Sequence, residues 1–127
     1  MNIEVLTLCE YTQTIGDKLN VLGAFNTFVT ENMPIHHTFS IVVKFRYDRS
    51  EFGEKHIKFR IESPSGKKMI DNVMASVDIK KINDPFLSVS LSINVNNILF
   101  DEYGTFHVYV ETDGNTFDIP LYVKKKE

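Results

Sequence analysis

Few side chains in this chain have the types and spacing that metal binding requires. His36 and His37 are the only adjacent histidines, and His56 and His107 lie far from them in the sequence. Neighbouring residues of a strand point to opposite faces, so the rings of His36 and His37 would not share one metal ion. We therefore expect no metal and no cofactor, and a solvated histidine pair is the simpler interpretation.

Cys9 is the single cysteine of the sequence. A nucleophilic cysteine needs a nearby base and a lowered pKa, and the sequence indicates neither. Val5 and Tyr11 share its face of the first predicted strand, so a small core residue is the better interpretation. A lone cysteine also excludes an intramolecular disulfide. Together with an N-terminus that has no signal-peptide pattern, this predicts a cytoplasmic protein.

Three carboxylates, Asp48, Glu51 and Glu54, follow one another in a polar segment. A carboxylate pair can act as general acid and general base only where burial moves the two pKa values apart. Arg46 and Arg49 stand beside these carboxylates, and such mixed charge is typical of a solvated loop. With no specific support for catalysis, we predict that the protein is not an enzyme.

Charge and hydropathy exclude two classes of partner. The formal net charge is −3, whereas a nucleic-acid groove needs a basic excess. The basic runs at residues 67–68 and 124–126 have no aromatic residues interleaved with them, as single-strand binding would require. No apolar stretch approaches membrane-spanning length. We expect neither nucleic acid nor membrane as a partner.

Strands must position whatever site exists, because hydrophobic residues alternate with polar ones along most of the chain. The clearest case is residues 87–95, where Leu87, Val89, Leu91, Ile93 and Val95 alternate with serine and asparagine. Side chains of a strand alternate between its two faces, so this segment predicts one apolar and one polar face. Ten Phe and five Tyr with no Trp also suit strands.

The same pattern predicts about eight strands and no helix. The predicted strands cover residues 3–11, 19–30, 39–47, 57–62, 73–79, 87–95, 105–112 and 117–123. Strands at intervals of roughly ten residues, separated by turn residues, indicate a sandwich or a barrel. We predict an all-β, two-sheet antiparallel sandwich of immunoglobulin-like kind, formed as a single domain by residues 1–127.

Local signals refine this prediction. Asp113-Gly114 is a strong hairpin signal, and Gly16 and Asp17 predict a turn between the first two strands. Gly23 suggests a bulge or a close backbone approach inside the second strand. Pro120 cannot donate to a ladder, so it belongs on a sheet edge or its nitrogen faces outward.

The two ends of the chain carry a resemblance. The segments at residues 6–11 and 16–27, and the closing segments at residues 103–106 and 119–123, resemble a family of small uncharacterised bacterial proteins, known as a domain of unknown function. The resemblance implies a single small β domain of bacterial origin. The family brings no assigned activity, so it implies no catalytic or binding residue.

Several apolar residues occupy positions that the alternation predicts to face outward. They are Leu6, Leu8, Leu22, Phe28, Val42, Met74, Tyr109 and Tyr122. Clustered in space, they would form a patch larger than a monomer normally exposes, which marks an interaction surface. A bulge at Gly23 that shifts the faces by one residue is the alternative explanation for residues 6–28. The candidate interaction surface comprises Tyr109, Tyr122, Leu6, Leu8, Leu22 and Phe28.

Two functional hypotheses follow. The first is a non-enzymatic interaction module that binds an unknown protein partner or a second copy of itself, through edge strands and the face of Tyr109 and Tyr122. The second is a sandwich that binds a glycan or another small ligand through aromatic residues near loops, namely Phe52, Phe100 and Tyr103. The lack of Trp counts against the glycan.

Overall fold

The structure is a computed structural model that describes residues 1–15, 18–81 and 83–127, without the side chain of residue 72. The all-β prediction is confirmed, because the described residues form two sheets that are mostly antiparallel. Nine strands are described: β1 (Asn2–Ile15), β2 (Lys18–Phe25), β3 (Thr27–Thr30), β4 (Ile35–Asp48), β5 (Gly53–Glu62), β6 (Lys68–Ile79), β7 (Phe86–Phe100), β8 (Gly104–Thr112) and β9 (Asn115–Lys125). No helix in the described part of the chain is long and apolar enough to cross a membrane.

The first of two compact units comprises Met1–Phe25, His37–Phe52 and Lys80–Ile98. Its sheet has the order β2-β1-β4-β7. The predicted inward residues of β4 are all buried: Phe39, Ile41, Val43, Phe45 and Tyr47. Their neighbours Ser40 and Val42 are buried as well, so the middle of β4 is covered on both faces. Leu8 and Cys9 show the same burial on both faces of β1.

The second unit comprises Asn26–His36, Gly53–Ile79 and Leu99–Glu127, and its sheet has the order β3-β9-β8-β5-β6. One face of this sheet is apolar and buried, with Phe59 of β5, Phe106 and Val108 of β8 and Leu121 of β9 all fully covered. Lys58 and Arg60 alternate with the buried residues of β5, as the sequence predicts. β3 pairs with β9 in parallel over its whole length of four residues.

The predicted hairpin at Asp113-Gly114 is confirmed. Both residues have positive φ, 50° and 73°, as the type I′ turn between β8 and β9 requires. The prediction for Pro120 is confirmed as well. The amide of Tyr122 donates to the carbonyl of Asn26, so it faces the side of β9 on which β3 lies. Alternate residues of a strand direct their nitrogens to the same side, so the nitrogen of Pro120 faces that side too. The ladder with β3 begins only at Tyr122, so no strand partner is needed at Pro120. The turn predicted at Gly16 and Asp17 lies outside the described residues.

Two details of the predicted strands are wrong, and for Gly23 the structure selects the close approach over the bulge. The predicted strand at residues 19–30 is two strands, because the chain bends at Asn26 and passes from the first sheet to the second. Gly23 causes no bulge, since the β1–β2 register is continuous across it. It allows a close approach instead, with φ of +70° and the side chain of Glu10 packed over it. The apolar face predicted for residues 87–95 is buried only at Val95 and half-buried elsewhere, because β7 is an edge strand. The immunoglobulin-like arrangement and the single domain stay predictions.

Candidate functional site

Tyr109 and Tyr122 lie on the same face of the second sheet. Tyr109 pairs with Asp118 across the β8–β9 ladder, and Tyr122 lies four positions after Asp118 on β9. Cross-strand partners and alternate residues share a face, so all three point the same way. His107 and Pro120 form the pair that lies between the tyrosines. We call the face that bears His107, Tyr109, Asp118, Pro120 and Tyr122 the open face.

Arg60 reaches the open face from β5, where it pairs with Tyr109 of β8. Its Nη1 donates to Oε1 of Glu62 at 2.7 Å, and its Nη2 donates to Oε1 of Glu111 at 2.9 Å. Its Cζ lies 4.2 Å from the centroid of the Tyr109 ring. A planar guanidinium can hold two carboxylates and stack on an aromatic ring at once. These contacts fix the side chain of Arg60 in one position.

His107 extends this arrangement along β8. Its ring stacks on that of Tyr109, with centroids 6.0 Å apart and planes at 30°, and its Nδ1 lies 3.2 Å from Oδ2 of Asp118. At the other end of the open face, Nζ of Lys124 lies 5.7 Å from the centroid of the Tyr122 ring. Tyr122 is 36% exposed. The open face therefore alternates charged groups with aromatic rings and stays accessible to solvent.

The other four residues of the predicted surface are divided between the two units. Leu6, Leu8 and Leu22 belong to the first unit, and Phe28 belongs to the second. Leu8 is only 1% exposed, so its predicted outward position is wrong, and Leu6 is half-buried. Leu22 is 58% exposed and pairs with Tyr11 across the β1–β2 hairpin.

Phe28 points away from the open face. It pairs with the buried Val123, and its ring meets that of Phe100 edge-on at 5.6 Å. Its predicted outward position is wrong because the bend at Asn26 changes the face on which the following residues lie. Val42 is also buried, against prediction, whereas Met74 is exposed as predicted.

The groups that could do chemistry lie outside this face, apart from His107. Burial raises the pKa of the Cys9 thiol, against the lowering effect of a hydrogen bond with the Tyr11 backbone, so the thiol is a poor nucleophile. Burial lowers the pKa of His37, and the nearby carboxylate of Glu10 opposes this shift. In the described residues, no group of three or more His, Cys, Asp and Glu could hold a metal ion.

The loop carboxylates are occupied by local contacts. The hydroxyl and amide of Ser50 donate to Oδ1 of Asp48, and these hydrogen bonds lower the pKa of Asp48. Glu51 accepts a hydrogen bond from the amide of Asp48 at 3.2 Å. Glu54 lies 3.8 Å from Nε2 of His56 in an exposed pair. The contacts of Asp48 and Glu51 stabilise the turn at residues 48–51.

The aromatic residues suggested for ligand binding have different roles. Phe100 is fully buried and packs on Phe106, and the hydroxyl of Tyr103 donates to the carbonyl of Thr30 at 3.4 Å. Phe52 is exposed, with Nζ of Lys81 5.7 Å from its ring centroid.

The second unit has an open pocket of about 370 Å³ beside the β8–β9 turn. Its lining consists of Lys58, Glu111, Thr112, Gly114, Asn115 and Thr116. Another open pocket, of about 520 Å³, lies in the first unit, where Lys18 and Lys44 are among its lining residues. None of the described residues that line these two pockets is aromatic.

Sequence reasoning named the two tyrosines but missed Arg60 and His107 as their partners. The signal was present, because the two-residue turn at Asp113-Gly114 fixes the β8–β9 register and so places His107 beside Pro120. The pairing of β5 with β8, which brings Arg60 to Tyr109, joins strands that are distant in the chain. No local pattern predicts that pairing.

Comparison with known proteins identifies a family. Residues 4–124 match the model of DUF6941, a family of unknown function. No curated protein matches the chain.

Proposed function

We propose that this chain, which belongs to DUF6941, a family of unknown function, is a non-enzymatic interaction module. It binds a protein partner through the open face. The observation that carries the proposal is the ordered set of Arg60, Tyr109 and His107 on an accessible sheet face. We extend the proposal to location in a reducing compartment, the cytoplasm. The only cysteine, Cys9, is a free, buried thiol, and cysteines that form no disulfide are typical of reducing compartments.

The composition of the open face supports a protein partner. Tyrosine and arginine are enriched at protein interfaces and among the residues that dominate binding energy. The rotamers of Arg60 and Tyr109 are already held by each other and by two glutamates, so binding would cost little further ordering. A sheet face also suits the broad surface of a protein better than a small molecule, which favours a cleft.

The experiment compares two matched double variants as bait. Tyr109→Ala with Tyr122→Ala alters the open face, and Tyr11→Ala with Leu22→Ala alters an exposed cross-strand pair in the other unit. A partner captured by cross-linking from the source cell is purified and titrated against all three proteins. We expect the open-face variant to bind at least about tenfold more weakly, a change of about 1.4 kcal/mol. The control should bind like the wild type.

Equal binding by the open-face variant, with circular dichroism and urea unfolding showing that it is folded, would remove the proposal. The same holds if the control variant loses binding to the same extent, because the effect would then not depend on the open face. Tyr122 is the more exposed of the two tyrosines, so Tyr122→Ala alone serves as a milder variant for the same titration.

A small polar ligand is the second candidate, favoured by the 370 Å³ pocket beside the β8–β9 turn. Lys58 and Glu111 line it with opposite charges, and Asn115 and Thr116 add hydrogen-bonding groups. A thermal-shift screen of metabolites and sugars tests this function. A compound that stabilises the wild type but not Lys58→Ala would support it. A screen with no stabilising compound would favour the protein partner.

A further inference from the structure

The free edge of β7 is long and carries no charge. β7 is the last strand of the first sheet, with β4 on one side and no described strand on the other. Its fifteen residues, Phe86–Phe100, include no Lys, Arg, Asp, Glu, Pro or Gly. An edge strand leaves a row of backbone amides and carbonyls unpaired, and proteins normally protect it with charge, proline, bulges or short length.

The other three edges have such protection. β3 has only four residues, and β2 carries Lys18 and a glycine with positive φ, Gly23. β6 carries Asp71 and Asp78, and its register with β5 shifts near Ile61. Within β7 the first residue with positive φ is Asn97, at 49°, so residues 86–96 form a long stretch without charge, proline or left-handed backbone. The contrast indicates that this edge is covered by another strand.

We infer that a second copy of this chain covers it, with β7 pairing antiparallel to β7 of the partner. The sequence is self-complementary in that arrangement. A register centred on Leu91 places Val89 opposite Ile93 and Ser90 opposite Ser92, so apolar residues meet apolar ones and serines meet serines. No like charges meet anywhere along the pair. This inference is independent of the open face, which belongs to the second unit.

The size of the contact fits a real interface. Pairing residues 87–95 of both chains would add about nine main-chain hydrogen bonds, close to the roughly ten of a typical interface. The pairing would also cover more of Leu87, Val89, Leu91 and Ile93, which are only half-buried in one chain. A foreign strand would gain the same backbone bonds, but nothing in the structure selects its sequence, whereas the second copy is complementary by itself.

The experiment uses charge at the centre of the pair. Ser90→Lys with Ser92→Lys, or Ser90→Glu with Ser92→Glu, places like charges opposite one another in a homodimer. Molecular mass is measured by sedimentation over a concentration series. We expect the wild type to have twice the monomer mass, each variant to dissociate at least about a hundredfold more readily, and their equimolar mixture to form a dimer again. A matched control on the opposite edge, Asn20→Lys with Leu22→Lys, should stay dimeric.

A monomeric wild type would overturn the inference. So would variants that remain dimeric, or folded variants whose mixture stays monomeric. A second measurement covers the case in which the charged variants do not fold. Leu91→Cys should form an intermolecular disulfide under mild oxidation, because the two Leu91 residues face each other in the pair, while Leu22→Cys should not. Cys9 is fully buried and would not compete. Equal cross-linking of both cysteines, or none at position 91, would equally refute the pairing.

Discussion

Replacing Arg60 should test how firmly the open face is organised. Arg60→Ala removes two ion-paired hydrogen bonds, to Glu62 and Glu111, and the contact with the Tyr109 ring. The side chain of Arg60 is 22% exposed, so each ion pair contributes close to the upper end for surface pairs, about 0.5–1 kcal/mol. The stacked ring adds about 0.5–1 kcal/mol.

We therefore expect Arg60→Ala to lower the free energy of unfolding by about 2 kcal/mol. Arg60→Lys should lower it by about half as much, because an ammonium keeps the charge but lacks the fork that holds two carboxylates. Urea unfolding measures both, as a shift of the midpoint at constant slope. In the Arg60→Ala background, Glu111→Gln should recover part of the loss, since it relieves the repulsion between two unpaired glutamates.

A double-mutant cycle isolates the contact between Arg60 and Tyr109. Arg60→Ala, Tyr109→Leu and the double variant should give a coupling energy of about 0.5–1 kcal/mol. The reasoning is refuted if Arg60→Ala costs less than about 0.5 kcal/mol, which is the usual effect of a surface substitution away from such contacts. It is also refuted if the two substitutions are additive, because the stacked geometry would then contribute nothing.

Three further perturbations test other parts of the structure. The lowered pKa of His37 means that the folded state takes up its proton less readily than the unfolded state. The resulting stability is present above the ordinary pKa of 6.5 and is lost as the pH falls through the lowered value. His37→Gln should flatten this loss in urea unfolding at several pH values, and an unchanged slope of stability against pH would contradict the assignment. Gly23→Ala should lower the free energy of unfolding by about 1–3 kcal/mol, because its φ is +70° and the new Cβ would lie 3.1 Å from Cγ of Glu10. An unchanged midpoint of urea unfolding would show that this approach is not tight. Gly114→Ala should cost about 1 kcal/mol through its φ of +73°, seen as a lower melting temperature, and an unchanged melting curve would exclude the type I′ turn.

The parts of the fold that could be predicted depend on local chemistry. Alternation placed the buried residues of β5 and β8 and of one face of β4 correctly, because a side-chain period of two needs no knowledge of the partner strand. Asp113-Gly114 fixed one hairpin, since few residues accept positive φ. The position of Pro120 was predictable because it lacks an amide hydrogen. These are properties of single residues or neighbouring pairs.

The parts that could not be predicted depend on which strands become neighbours. The bend at Asn26 carries no proline or glycine, so nothing in the sequence marks it. Residues 19–30 were therefore predicted as one strand, whereas the fold divides them between two sheets. Leu8 seemed to face outward because burial on its second face comes from the fold and not from β1 itself. For the candidate site, Tyr109 and Tyr122 were found from the sequence, whereas Arg60 joins them only through the β5–β8 pairing.

The parallel pairing of β3 with β9 has a kinetic consequence. It joins Thr27–Thr30 to residues 122–125 near the end of the chain. Two flanking hydrogen bonds, from the Tyr122 amide to the Asn26 carbonyl and from the Lys126 amide to the Thr30 carbonyl, add to this ladder. A contact between such distant segments costs much loop-closure entropy and gains little from four residues. It should therefore form late in folding and open first. In native-state hydrogen exchange, the Tyr122 and Lys126 amides should exchange through a local opening that leaves the β8–β9 hairpin protected.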